Sequence, residues 1–176
     1  MRLLVVVSLF ALAFAGGSFA AQSALKDPSQ LILQRSDMPA GAQYTQGPMP
    51  ANYINALKGV RITARASYFH VTFRNGGKNQ TVSGLATTTG STSQAQNLFK
   101  LSKDDMVTSR KTPLSLPSYG NEQTALIYKT LGKIELLVRT NRTVWEVETE
   151  VGFSKAALVA ELKKYAAKFR QRVGAG

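Results

Sequence analysis

The sequence contains one histidine, His70. An imidazole is the usual general base at neutral pH, so a Ser-His-Asp or Cys-His site would have to use this residue. Alternation predicts a strand here, with Phe69 and Phe73 on one face. Tyr68 and Thr72 share the other face with His70. A small secreted ribonuclease that uses His70 is one hypothesis, and a half-buried structural histidine is the other. One histidine without a motif is no catalytic constellation, so we assign no catalytic residue.

Four of the six glutamates fall on one predicted hairpin: Glu135, Glu146, Glu148 and Glu150. The two-residue loop Asn141-Arg142 pairs residues 133–140 with 143–151. This register puts Val138 opposite Trp145 on an apolar face and Glu135 opposite Glu148 on the other. Opposed like charges destabilise a sheet, so this arrangement needs a reason.

A divalent cation is one such reason, because hard cations bind carboxylate oxygens. A calcium site normally also uses loop carbonyls and Asp-rich spacing, and neither is visible here. The alternative is a solvated face relieved by Arg139 and Lys133, or one covered by basic residues of a packed helix. We therefore predict no metal and no cofactor, with the four glutamates as weak metal candidates only.

The predicted C-terminal helix is strongly basic on one side. Its cations are Lys155, Lys163, Lys164, Lys168, Arg170 and Arg172, against a single acid, Glu161. An apolar stripe formed by Leu158, Leu162, Tyr165, Phe169 and Val173 predicts that the other side packs on a sheet. A basic amphipathic helix can also lie on an anionic membrane. We predict a core helix with a basic outer face, and expect Arg61, Arg65 and Lys78 to contribute to the same binding surface.

These residues are carried by an alternation of helices and strands. A short helix is predicted within residues 22–41, then a loop over 42–58 with a turn of helix near 53–58. A hairpin with the turn 75–78, a helix to about residue 107, and a strand at 124–129 follow. The hairpin 133–151 and the helix 154–173 complete the chain. This order predicts an α+β fold, with about five to six antiparallel strands and helices packed on them.

The N-terminus has the three parts of a secretory signal. Met1-Arg2 is positively charged, residues 3–15 are apolar, and small residues continue to Ala21. The 13-residue apolar run is shorter than the roughly 20 residues that a spanning helix needs, although an uncleaved anchor is the alternative. We predict a signal peptide over 1–20, cleaved after Ala20 or Ala15, and a single domain over 21–176 without a transmembrane helix. The product is expected outside the cytoplasm: in a bacterial periplasm, at the cell surface or in the medium.

Two short motifs carry a family resemblance. Residues 31–41, Leu-Ile-Leu-Gln-Arg-Ser-Asp-Met-Pro-Ala-Gly, are similar to the "L-L-L-x-x-x-D-L-P-A-G" opening of functionally uncharacterised exported bacterial domains. Residues 116–123 are similar to their "P-x-x-G-D-E-A" segment, with Asn121 in place of Asp and Gln123 in place of Ala. Such domains resemble the PsbP-like α/β/α sandwiches. The resemblance implies a fold and a location, and it transfers no catalytic residue.

Charge and the absence of cysteine limit the function classes. The chain has a net charge of +12 and no cysteine, which excludes disulfides, thiolate metal sites and cysteine acylation. A large basic surplus favours anionic partners. We predict a non-catalytic binding protein that contacts an anionic envelope polymer or membrane surface, with nucleic acid as a further candidate. The alternatives are a ligand carrier or assembly factor with a pocket between sheet and helices, the secreted hydrolase, and a basic protein whose charge serves solubility alone.

Overall fold

A computed structural model describes residues 27–107, 111–128, 132–150 and 154–174. The predicted signal peptide lies outside these residues. The four helices are α1 (Pro28–Leu31), α2 (Ala51–Gly59), α3 (Thr92–Val107) and α4 (Lys155–Gly174), and a 3-10 turn spans Arg35–Asp37. The seven strands are β1 (Gln43–Pro48), β2 (Ala64–Asn75), β3 (Lys78–Thr89), β4 (Lys111–Pro113), β5 (Glu122–Tyr128), β6 (Lys133–Thr140) and β7 (Thr143–Glu150).

All seven strands form one antiparallel sheet in the order β1-β2-β3-β7-β6-β5-β4. Its first part, β1 to β3, and its second part, β4 to β7, are each built from neighbours in the sequence. Among the described strands, the two parts are joined by the pairing of β3 with β7. The α+β class, the antiparallel sheet and the long C-terminal helix are confirmed.

One side of the sheet, which we call face A, is sealed by α1 and α4. Phe69 and Trp145 are fully buried there, and the Phe169 ring of α4 lies between them. Phe169 stacks on Trp145 with centroids 4.7 Å apart and planes at 8°, and its centroid is 6.1 Å from that of Phe69. Gly84 makes room for the Phe69 ring and for the neighbouring strand, because a Cβ there would lie 2.9 Å from Cε1 of Phe69 and 2.1 Å from the Glu146 carbonyl oxygen. The apolar stripe predicted for α4 is therefore the main cover of this core.

The opposite side, face B, is covered only in part. A second apolar cluster joins Leu57 of α2 and Leu98 of α3 to Leu137 and Val144 of the sheet. Tyr68, Ser83 and Leu85 lie outside this cluster and are half-buried, and His70 is exposed. Face B thus has one part covered by helices and one part open, and the open part carries His70, Glu146 and Glu148.

The interpretation of residues 42–58 as a loop was wrong for β1, which brings the described sheet to seven strands where about five to six were expected. The turn of helix predicted near 53–58 lies within the longer α2. β1 pairs with β2 at the edge of the sheet, so only Tyr44 and Gly47 among its six residues are even partly buried. A strand with one neighbour and so little burial has no apolar alternation to reveal it.

Candidate functional site

The C-terminal cations of α4 hold the chain together. Arg172 binds Oδ2 of Asp37 through Nε at 3.1 Å and Nη2 at 2.7 Å. Lys168 Nζ donates to the Asp37 carbonyl oxygen at 2.6 Å. Asp37 also accepts the Gln34 backbone N–H at 2.7 Å, which closes the 3-10 turn. The aspartate of the first family motif is therefore an anchor for α4, and these two cations serve the fold.

The second motif meets the same half of α4. Arg170 Nη1 donates to the Ser118 carbonyl oxygen at 3.2 Å. Asn121 Oδ1 accepts the Asn141 N–H at 2.8 Å, and Gln123 holds its own loop through the N–H of Tyr119 at 2.9 Å. Both motif loops are thus fixed to α4 or to the β6–β7 turn, and their conspicuous polar residues have structural partners.

The other predicted cations are dispersed over the molecule. Lys155, Lys163 and Lys164 are exposed on the N-terminal part of α4, and Lys164 lies 3.7 Å from Glu161. Arg65 pairs with Thr88 near one end of the β2–β3 hairpin, whereas Lys78 lies at the turn that closes the other end. Arg61 follows α2 with a positive φ of 61°. The nine predicted cations therefore do not form one surface.

The glutamate side of the β6–β7 hairpin has the predicted register, with Glu135 opposite Glu148. Neither carboxylate is left without a partner. Glu148 accepts the Ser83 hydroxyl at 2.6 Å and forms an ion pair with Lys133. Glu135, which is 6% exposed, accepts the Tyr128 hydroxyl, and this contact raises the pKa of Tyr128 in addition to the effect of its burial. Of the two cations that the sequence alternative named, Lys133 relieves the like charges, whereas Arg139 pairs with Glu122.

Glu146 is half-buried at the edge of this network, between the buried Glu135 and the groove residues. Its burial, followed by the charges of Glu135 and Glu148, raises its pKa to about 8. It shares a hydrogen bond with Glu135, which requires a proton between the two carboxyl groups. At neutral pH Glu146 is therefore largely protonated and donates to Glu135.

A metal site does not follow from these carboxylates. Among the described residues, no group of three or more histidine, aspartate or glutamate side chains is arranged to hold a metal ion. The oxygens of Glu135 and Glu148 are instead directed to a hydroxyl or an ammonium group. Glu150 is exposed at the end of β7.

A groove of about 520 Å³ lies on the open part of face B, beside this network. Its lining combines polar and apolar groups: Met49, Tyr68, Phe69, His70, Ser83, Gly84, Leu85, Glu146 and Glu148. The strand register explains the grouping, since His70 pairs with Ser83 and Ser83 pairs with Glu148 across three neighbouring strands. Its volume is in the range of small-ligand sites, about 300–1,000 Å³.

The groove brings His70, a serine and a glutamate together without connecting them for catalysis. The Ser83 hydroxyl donates to Glu148. Within the described ranges no hydrogen bond or ion pair reaches the His70 ring. A nucleophile and its base must be within hydrogen-bond reach, so these contacts do not supply a serine nucleophile. His70 lies on the face opposite Phe69, as the alternation predicted.

Comparison with known proteins gives a similarity of fold. No protein-family model matches the chain, and no curated protein matches it significantly. The structure is similar to the extracellular domain of PknH from Mycobacterium tuberculosis, with a TM-score of 0.52. The sequences are 13% identical over 89% of this chain and 97% of that chain. An antiparallel α+β domain of this kind is therefore known outside the bacterial cytoplasm.

Several groove residues were not predicted from the sequence. Met49, Ser83 and Leu85 gave no signal, because their relation to Glu146 and Glu148 depends on the pairing of β3 with β7. No turn connects these strands directly, so no local sequence pattern predicts their register.

Among the helices of the described residues, none is long and apolar enough to span a membrane.

Proposed function

We propose that this chain is an exported, non-catalytic binding domain that takes a small ligand in the groove of face B. The observation that carries the proposal is the contrast between the two faces. Face A is sealed by α1 and α4, whereas face B leaves a groove with aromatic, apolar and hydrogen-bonding groups beside the half-buried Glu146 and Glu148. Ligand sites typically combine an apolar lining with a few placed polar groups.

Export rests on the N-terminal pattern of residues 1–20 and agrees with the location of the similar PknH domain. The predicted carrier had a pocket between sheet and helices. The groove modifies that idea, because it is a concavity open to solvent on the uncovered part of the sheet.

Filling the groove tests the proposal. Leu85→Arg introduces a long side chain into the lining, and Leu101→Arg makes the same change at an exposed position of α3. A small fragment library with cationic, neutral and anionic members is screened by amide chemical shifts. We expect fragments to shift the amides of Tyr68, His70 and Ser83 in the wild type and in Leu101→Arg, and not in Leu85→Arg. Shifts confined to other regions in the wild type would exclude the groove.

A second candidate function uses the exposed lysines of α4. Lys155, Lys163 and Lys164 face solvent, and the pair Lys164–Glu161 is the one ion pair recorded for these three within the described residues. Exposed ammonium groups can bind an anionic envelope polymer or membrane surface through long-range attraction.

Charge reversal separates this candidate from a general effect of net charge. The triple variant Lys155→Glu, Lys163→Glu and Lys164→Glu is compared with Arg61→Glu, Arg65→Glu and Lys78→Glu, which changes the charge equally elsewhere. Binding to phosphatidylglycerol vesicles and to an acidic polysaccharide is measured over a salt series. We expect salt-sensitive binding that only the α4 triple abolishes. Equal losses in both triples would assign the binding to overall charge.

A further inference from the structure

The groove of face B borders a carboxyl cluster whose charge differs from the rest of this basic protein. Glu146 and Glu148 of the cluster line the groove, and Glu135 and Lys133 lie outside the lining. Glu135 and Glu148 carry two negative charges and Lys133 one positive charge, so the cluster as a whole keeps one negative charge while Glu146 is protonated. The chain as a whole carries +12. An anionic ligand would therefore find a negative groove, whereas a cation would find complementary charge.

The other walls of the groove limit the cation to an organic one. Tyr68 supplies an aromatic side chain, and Met49 and Leu85 supply apolar surface. A tyrosine ring attracts ammonium groups through its π face, and thioether and leucine groups favour the hydrocarbon part of a ligand. A metal ion would make no use of these walls, and the described carboxylates are not arranged to hold one.

We propose, on the basis of the groove function above, that the groove binds an organic ammonium ion. Its cationic group lies at Glu146 and Glu148, and its apolar body lies against Tyr68, Met49 and Leu85. The Ser83 hydroxyl, which orients Glu148 at 2.6 Å, is a positioning group for the carboxylate.

Binding of such a cation is coupled to the proton on Glu146. The charged and titratable groups around this carboxyl are Glu135 and Lys133 of β6, Glu148 of β7, Tyr128 of β5, Tyr53 of α2 and His70 of the groove. A bound ammonium group favours the ionised carboxylate, so the complex releases a proton below about pH 8. Affinity therefore rises with pH from 6 to 9.

Three probes of similar size and different charge test the proposal: 2-phenylethylammonium, 2-phenylethanol and 3-phenylpropanoate. Amide shifts of Tyr68, His70 and Ser83 report binding to the groove. We expect the ammonium probe to bind about tenfold more tightly than the alcohol, as a hydrogen bond to a charged group provides. We expect Glu148→Gln to remove most of that preference. Glu150→Gln, an exposed change on the same strand, is expected to keep it.

The outcomes separate the ligand class from the groove itself. Groove shifts of equal size with all three probes, or tighter binding of the carboxylate, would overturn the ammonium assignment and leave the groove function standing. Shifts with none of the probes, together with an empty fragment screen, would overturn the groove function. Binding of the ammonium probe that is unchanged between pH 6 and 9 would remove Glu146 from the contact.

Discussion

Replacing Glu146 with glutamine is expected to remove a large loss of stability between pH 5 and pH 8. The folded protein keeps the Glu146 proton up to about pH 8, whereas an ordinary carboxyl with a pKa near 4.5 has lost it by pH 5.5. Unfolding in this interval therefore releases a proton, and a rising pH favours the unfolded chain. Each pH unit in the interval removes about 1.4 kcal/mol from the free energy of unfolding.

The glutamine amide is neutral at every pH and can still donate to Glu135. We therefore expect Glu146→Gln to resemble the wild type at pH 5 and to exceed its stability by a few kcal/mol at pH 8. Urea unfolding followed by the fluorescence of Trp145, the single tryptophan, measures both. Glu150→Gln, at an exposed position, is the control and should retain the wild-type slope. Parallel pH profiles for wild type and Glu146→Gln would show that Glu146 titrates normally.

The second large effect is expected from truncating Phe169. Its ring is fully buried, stacks on Trp145 at 4.7 Å and contacts the Phe69 side of the core. Removing a buried phenylalanine side chain leaves a cavity and costs about 3–5 kcal/mol. Phe169→Ala should therefore lower the free energy of unfolding by this amount and abolish the near-ultraviolet circular dichroism of the stacked pair.

The control variant keeps most of the side-chain volume at position 169 and removes the aromatic stacking on Trp145. Phe169→Leu is expected to lose the same dichroism signal at a cost of roughly 1.5 kcal/mol, because apolar substitutions of similar size are tolerated. Thermal unfolding at one pH compares the three proteins. A Phe169→Ala protein within 1 kcal/mol of the wild type would contradict the central place given to α4 in the core.

Local sequence patterns were sufficient to predict the helices and strands that have one apolar side. The helix α4 and the register of the β6–β7 hairpin follow from apolar spacing and a two-residue turn, and Glu135 lies opposite Glu148 as expected. The edge strand β1 and the three-residue β4 escaped prediction for the same physical reason. Each lies at an edge of the sheet with a single neighbouring strand, so its sequence need not alternate between apolar and polar residues.

The roles of the charged residues could not be predicted, because their partners lie far away in the sequence. Lys168 and Arg172 meet Asp37 across 131 and 135 residues of sequence, and no helical pattern distinguishes them from Lys163 on the same helix. The raised pKa of Glu146 could not be predicted either, because strand alternation placed this residue on an outer face and gave no indication of its hydrogen bond with Glu135. Helices from other parts of the sequence, here α2 and α3, determine which part of face B is covered.

The pairing of β3 with β7, which we call the seam, brings together the two groups of strands that line the groove. Tyr68, Ser83 and Leu85 come from the three strands before this seam, and Glu146 and Glu148 come from the four strands after it. Each group of strands can pair locally, but the groove exists only once they have joined. A ligand that contacts both sides binds the folded chain and not its separate halves, and so stabilises their union by mass action. For the exported domain proposed above, occupancy would then lengthen the life of the folded protein where chaperones driven by ATP do not restore an opened sheet.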